Sequence, residues 1–227
     1  MTNPYTTQRT RIWDLPTRIF HVLLILSITG LFITGEIGDE AMRFHFWFGY
    51  AVLSLVFFRL AWGLVGGHWS RFVHFVPTPS KLLTYVRSLR TKQPQLYVGH
   101  NPLGALSVLA MLVVLLLQVF SGFMSDDEIS ITGPWVAFTP SRWVELATEY
   151  HTEVGKVLLI VLVCLHIGTV FYYKRVKHDD LISPMLHGDK ELPVDTHASR
   201  DTYTSRLFAL SILLASIYVV YRLVTLK

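Results

Sequence analysis

Five apolar blocks, each close to the thickness of a bilayer, decide what this chain can fold into. They run from about Ile19 to Gly35, Phe44 to Val65, Pro102 to Met124, His151 to Tyr173 and Leu207 to Leu226. A helix of about 20 mostly apolar residues crosses a ~30 Å hydrocarbon core. In that medium the backbone must satisfy its own hydrogen bonds, which leaves helices or closed barrels. Of the 227 residues, 52% are hydrophobic and 16% charged, whereas a soluble domain carries about 25% charge. The chain therefore reads as an all-α integral membrane protein; the fifth block contains no histidine, which leaves a four-helix transmembrane bundle with a fifth, C-terminal transmembrane helix at its edge. The first block is followed by Glu36 and Asp39 rather than a small-residue cleavage site, and reads as a retained helix.

The segments between the blocks carry charge of opposite sign. Residues 1–18 hold Arg9, Arg11 and Arg18. The 66–101 loop holds Arg71, Lys81, Arg87, Arg90 and Lys92 with no acidic residue, and its 80–90 stretch suits a short amphipathic surface helix. Lys174, Arg175 and Lys177 end the fourth block. The other loops are acidic, with Glu36, Asp39 and Glu40 in one and Asp126, Asp127, Glu128, Glu145 and Glu149 in the other. Lys and Arg gather on the cytoplasmic side, so the N-terminus is expected there. The expected divisions are a cytoplasmic segment 1–18, the four-helix domain 19–173, a cytoplasmic linker 174–206 and a transmembrane helix 207–227. The net charge of +4 follows from this sidedness. No Lys/Arg run is long enough for nucleic acid. The single cysteine, Cys164, excludes an intrachain disulfide, and no C-x-x-C-H site for covalent haem exists.

Four histidines fall inside the blocks, at two depths. His151 opens the fourth block and His166 follows 15 residues later, toward its other end. On a regular α-helix that is ~22 Å of rise and about 60° of rotation, so both share one broad face. With the orientation above, His21 and His166 lie near the cytoplasmic surface and His45 and His151 near the outer one. Imidazoles inside a membrane are costly unless paired or ligating; for His151 and His166 the alternative is interfacial histidines satisfied by backbone carbonyls. Two neutral imidazoles from facing helices are what haem with two histidine ligands requires in a bundle core. The spans thus suit two haems.

Smaller residues and arginines fit the same reading. His45-x-x-x-Gly49 and His151-x-x-x-Gly155 share a spacing that puts a glycine one turn on, where a flat macrocycle can lie against the backbone. Gly30 and Gly122 thin the first and third helices. Close helix packing also uses such residues. Arg18, three residues before His21, and Arg59 suit the propionates of an inner haem, while snorkelling to lipid phosphate is the alternative for Arg59. The remaining histidines, His68, His74, His100, His178, His187 and His197, read as surface residues; His100, in Gly-His-Asn-Pro, is a candidate neighbour of a quinone.

Together these pieces resemble the bacterial cytochrome b561 superfamily, including the b-type cytochrome subunit of nickel–iron hydrogenases. The matching residues are Trp13-Asp14 with Arg18-Ile-Phe-His21, His45 with Gly49 and Arg59, Gly99-His-Asn-Pro102, and His151 through His166, over roughly residues 11–190. The resemblance implies a four-helix core with two b haems and electron exchange with quinone. By position, His21 with His166 would ligate the inner haem and His45 with His151 the outer one. Two departures stand out: one histidine rather than two opens the fourth helix, and the fifth helix lies outside the common core.

The leading expectation is an electron-transfer subunit in a bacterial inner membrane. It would link the quinone pool to a periplasmic redox protein: a hydrogenase, a c-type cytochrome or a reductase. The acidic 125–150 loop, with Trp135 and Trp143, is the expected docking surface. One rival is a self-contained superoxide:quinone oxidoreductase, favoured by a basic funnel near the outer haem. A second rival, a metal transporter, would need carboxylates or thiols converging within the spans.

Overall fold

Helix boundaries follow local chemistry in the computed structural model, which describes residues 7–88, 97–127 and 131–225. Arg90, Lys92 and Glu128 lie outside the described residues. Helix α1 (Leu15–Ile37) starts at Asp14, whose Oδ1 accepts from the Thr17 backbone N–H at 2.8 Å, with Pro16 in the first turn. It stops at Gly38, whose φ of 70° takes the chain out of the helix. Helix α2 (Met42–Val65) follows. Two short helices, α3 (Phe72–Phe75) and α4 (Pro79–Ser88), come next; α4 falls on the expected surface helix. Helix α5 (Pro102–Phe123) is capped by Asn101, whose Oδ1 accepts from Gly104 N–H at 2.8 Å.

The fourth span differs from its expected form. Helix α6 (Ser141–Glu149) runs directly into a π-helical stretch, Tyr150–Gly155, then α7 (Lys156–Tyr172) and a second π-helical stretch, Tyr173–Lys177. His151 thus lies within a long helical run rather than at its opening. The cause is visible at residues 141–149: they are amphipathic, with Ala147 buried and Trp143 exposed, and contain no glycine or proline. Falling hydropathy marks the end of an apolar block, not the end of a helix. A short α8 (Ile182–His187) and α9 (Tyr203–Thr225) complete the helices. Among the described residues, five helical runs are long and apolar enough to cross a membrane.

The chain divides into two compact units. The first comprises residues 1–19, 60–109 and 166–209. Here β1 (Thr7–Arg11) and β2 (Asp189–Pro193) pair antiparallel, with Arg9 opposite Glu191. This ribbon joins the two segments flanking the four-helix region and was not anticipated, since five residues of TQRTR carry no apolar alternation. Ile12, Trp13 and Leu192 form its core, with Trp69, Val98 and Met185 packed against them. Arg11 bridges Asp189 and Asp201, the latter at 2.6 Å. Asp14 is fully buried and ties three elements together: its carboxylate accepts from Thr17 N–H, Trp62 Nε1 at 3.1 Å and Ser70 Oγ at 2.7 Å.

The second unit comprises residues 20–59, 110–165 and 210–227. Gly30 admits the Phe48 ring, which a Cβ would meet at 2.5 Å. Trp135, expected on a docking surface, is instead a fastener. Its indole N–H donates to the Leu223 carbonyl at 2.9 Å, and its ring stacks on Phe120. Trp143 does stay on the surface, 62% exposed. In this unit the buried residues of α9 are Ser216 and Val220, while Leu210, Leu214 and Tyr218 are exposed.

Candidate functional site

Two of the four span histidines meet ring to ring in the second unit. His45 lies in the first turn of α2 and His151 in the π-helical stretch before α7. Their ring centroids are 6.1 Å apart and their planes 80° apart. A carbonyl oxygen only accepts, so each ring's bonding fixes its tautomer. His45 Nδ1 donates to the Leu31 carbonyl at 3.0 Å, and His151 Nδ1 donates to the Gln118 carbonyl at 2.8 Å. In both rings the lone pair therefore belongs to Nε2. Ligating histidines show this arrangement, with the second nitrogen anchored on a backbone carbonyl.

Glycines make room for these rings. A Cβ on Gly122 would stand 2.7 Å from His151 Cε1, and one on Gly35 would stand 3.3 Å from His45 Cε1. Nothing lies within 4 Å of a Cβ built on Gly49, so an open face remains one turn along α2 from His45. Gly155 differs. Its missing side chain is replaced by the Gln118 amide and the Tyr150 ring, both of which a Cβ would strike. The shared His-x-x-x-Gly spacing thus gives one open face and one filled one, because α5 passes close to Gly155.

The other expected site residues are placed as follows. His21 is half-buried on α1 and His166 half-buried on α7. Arg59 is only 3% exposed, which removes snorkelling to lipid phosphate. Arg18 Nη1 donates to the Leu186 carbonyl at 2.6 Å, and its buried Nε has no protein partner. His100 packs between Trp13 and Phe75, with ring centroids at 4.9 and 4.8 Å. His68 stacks between His74, at 3.9 Å, and His197, at 5.4 Å. Such parallel rings cannot aim their in-plane lone pairs at one ion. Among the described residues no group of three or more His, Cys, Asp or Glu side chains is arranged for a metal ion.

Sequence reasoning missed Gln118, Ser121 and Gly35. Ser121 Oγ lies 3.3 Å from His151 Nδ1. Gln118 did leave a signal, being the one polar side chain between Ser107 and Ser121 in an otherwise apolar helix, where polar groups are functional candidates.

Comparison with known proteins gives a consistent result. The family model for prokaryotic cytochrome b561 matches residues 12–188. A probable Ni/Fe-hydrogenase B-type cytochrome subunit of Azotobacter chroococcum is 31% identical over 78% of this chain and 86% of its own length. Its counterpart in Azotobacter vinelandii is 30% identical over 78% and 86%, and that of Bradyrhizobium diazoefficiens is 25% identical over 79% and 85%. No solved structure matches. With five apolar helical runs and facing span histidines, the chain is an all-α integral membrane protein and belongs to the prokaryotic cytochrome b561 family.

Proposed function

We propose that this chain is a membrane electron-transfer subunit that holds two b haems and links the quinone pool to a hydrogenase outside the cytoplasm. Membership of a cytochrome b family implies b-type haem. The observation that carries the reading is the His45–His151 pair, with both Nδ1 atoms anchored on carbonyls and both Nε2 atoms left as ligands. Bound there, haem supplies a reversible one-electron couple. The Leu31 and Gln118 carbonyls hold the ligand tautomers and raise their basicity. His21 and His166 are assigned to the second haem. Arg59, buried in a membrane helix, and Arg18, with an unpartnered buried Nε, are assigned to its propionates, since guanidinium matches carboxylate.

The charge distribution supports a cytoplasmic N-terminus in a bacterial inner membrane. The basic connecting segments, with Arg71, Lys81, Arg87, Lys174 and Arg175, belong to the first unit, and the acidic loops, with Glu36, Asp39, Glu40, Asp126 and Asp127, to the second. The aromatic surroundings of His100 in the first unit suit a quinone headgroup. The acidic loops of the second unit would repel superoxide and attract a basic protein, which favours the electron-transfer subunit over the oxidoreductase. The hydrogenase follows from what the relatives are named. Isolation from the native membrane in mild detergent tests this: a hydrogenase should accompany the haem-loaded chain, and hydrogen should reduce an added quinone analogue. Haem-loaded chain with neither would overturn the proposed partner.

A further inference from the structure

We propose that Gln118 is a positioning residue that sets the orientation and electron donation of the His151 ring. This rests on the reading of His151 as a haem ligand. Residues 118 and 151 are joined by two reciprocal hydrogen bonds. His151 Nδ1 donates to the Gln118 backbone carbonyl at 2.8 Å, and Gln118 Nε2 donates to the His151 backbone carbonyl at 2.8 Å. The first bond anchors the ring. The second anchors the peptide from which the ring hangs. With both in place, the ring cannot turn or retreat without breaking one.

Local structure explains why a side chain is needed here. His151 lies in the π-helical stretch Tyr150–Gly155, directly after α6. Where pairing shifts from i+4 to i+5, the helix holds its junction carbonyls less firmly, and such bulges gather at functional sites. The Gln118 amide supplies a donor to one of them. Gly155 gives the amide its space, because a Cβ there would run into Gln118 Oε1. That oxygen is buried without a partner. Flipping the amide would set it against the His151 carbonyl, so the observed orientation is the favourable one. An unpartnered buried carbonyl costs stability, and α5 carries it although an apolar side chain would avoid that cost.

A firm N–H···O=C bond makes the imidazole a stronger donor to the metal and stabilises the oxidised state. Gln118→Met keeps volume and removes the amide. The purified, haem-loaded chain is titrated redox-potentiometrically and examined by electron paramagnetic resonance. Both haems should be retained. One midpoint potential should rise, and the largest g value of that haem should change, because it reports the angle between ligand planes. The other haem should not respond. Wild-type potentials and g values in Q118M would overturn the proposal. If Q118M does not accumulate, Gln118→Asn is read by the same criteria, since it is one methylene short of the His151 carbonyl. His151→Ala separates the two ideas: if it retains both haems, the ligand assignment itself fails, whatever Q118M shows.

Discussion

His45 and His151, two of the polar rings inside the membrane helices, are each matched by a missing side chain. Gly122 stands against His151 and Gly35 against His45. Gly122→Ala would place a methyl carbon 2.7 Å from His151 Cε1, so the ring must turn off its Gln118 anchor. Haem per polypeptide should fall from two toward one, with helix content unchanged by circular dichroism. The stacked His68 yields a second expectation. Burial, with His74, Arg71 and His197 beside it, holds its imidazolium below the ordinary value of 6.5. The unfolded chain then binds this proton more readily than the native one, so the stabilisation is complete above about pH 6.5 and is lost as pH falls toward the native value. His68→Gln should flatten the decline in thermal stability between pH 7 and pH 5, measured in detergent. The facing rings of His45 and His151 were legible in the sequence as polar residues inside apolar blocks, because imidazole is rare and costly in lipid. Their anchors were not, since Leu31 and Gln118 act through backbone carbonyls, which every residue possesses.

At the scale of elements, the fourth span shows where sequence reading stops. Its apolar block was visible, and so was the basic stop at Lys174 and Arg175. The run from Ser141 and the π-helical stretch around His151 were not. Periodicity reports which face is apolar, and residues 150–155 lie where the apolar face is only beginning. The 60° separation expected for His151 and His166 assumed an unbroken α-helix, and a π turn takes about one residue more than an α turn. Removing that residue tests its purpose. Deletion of the exposed Thr152 should restore regular α pairing, leave α6 and α7 nearly in phase, remove the wide turn that carries the His151 ring and cost one haem. Full haem content in the deletion variant would show that the stretch does not position the ring. The ribbon of β1 and β2 was equally hidden, because its partners lie at opposite ends of the four-helix region and pair through backbone groups.

For the whole molecule, sidedness and cofactor content are the two properties that function needs. Sidedness is proposed from the uneven distribution of Lys and Arg over the loops, whatever those loops fold into. With Cys164 replaced by Ser, a cysteine at Thr84 in α4 should resist an impermeant thiol reagent in intact cells, and one at Ala137 should react; both positions are exposed. The opposite pattern would invert the orientation. Cofactor content decides whether the chain can carry electrons, and a pyridine haemochrome assay on the purified chain and on His151→Ala measures it. Two b haems per polypeptide are predicted for the wild-type chain and one for the variant. One haem or none in the wild type, or two retained in His151→Ala, would contradict the account.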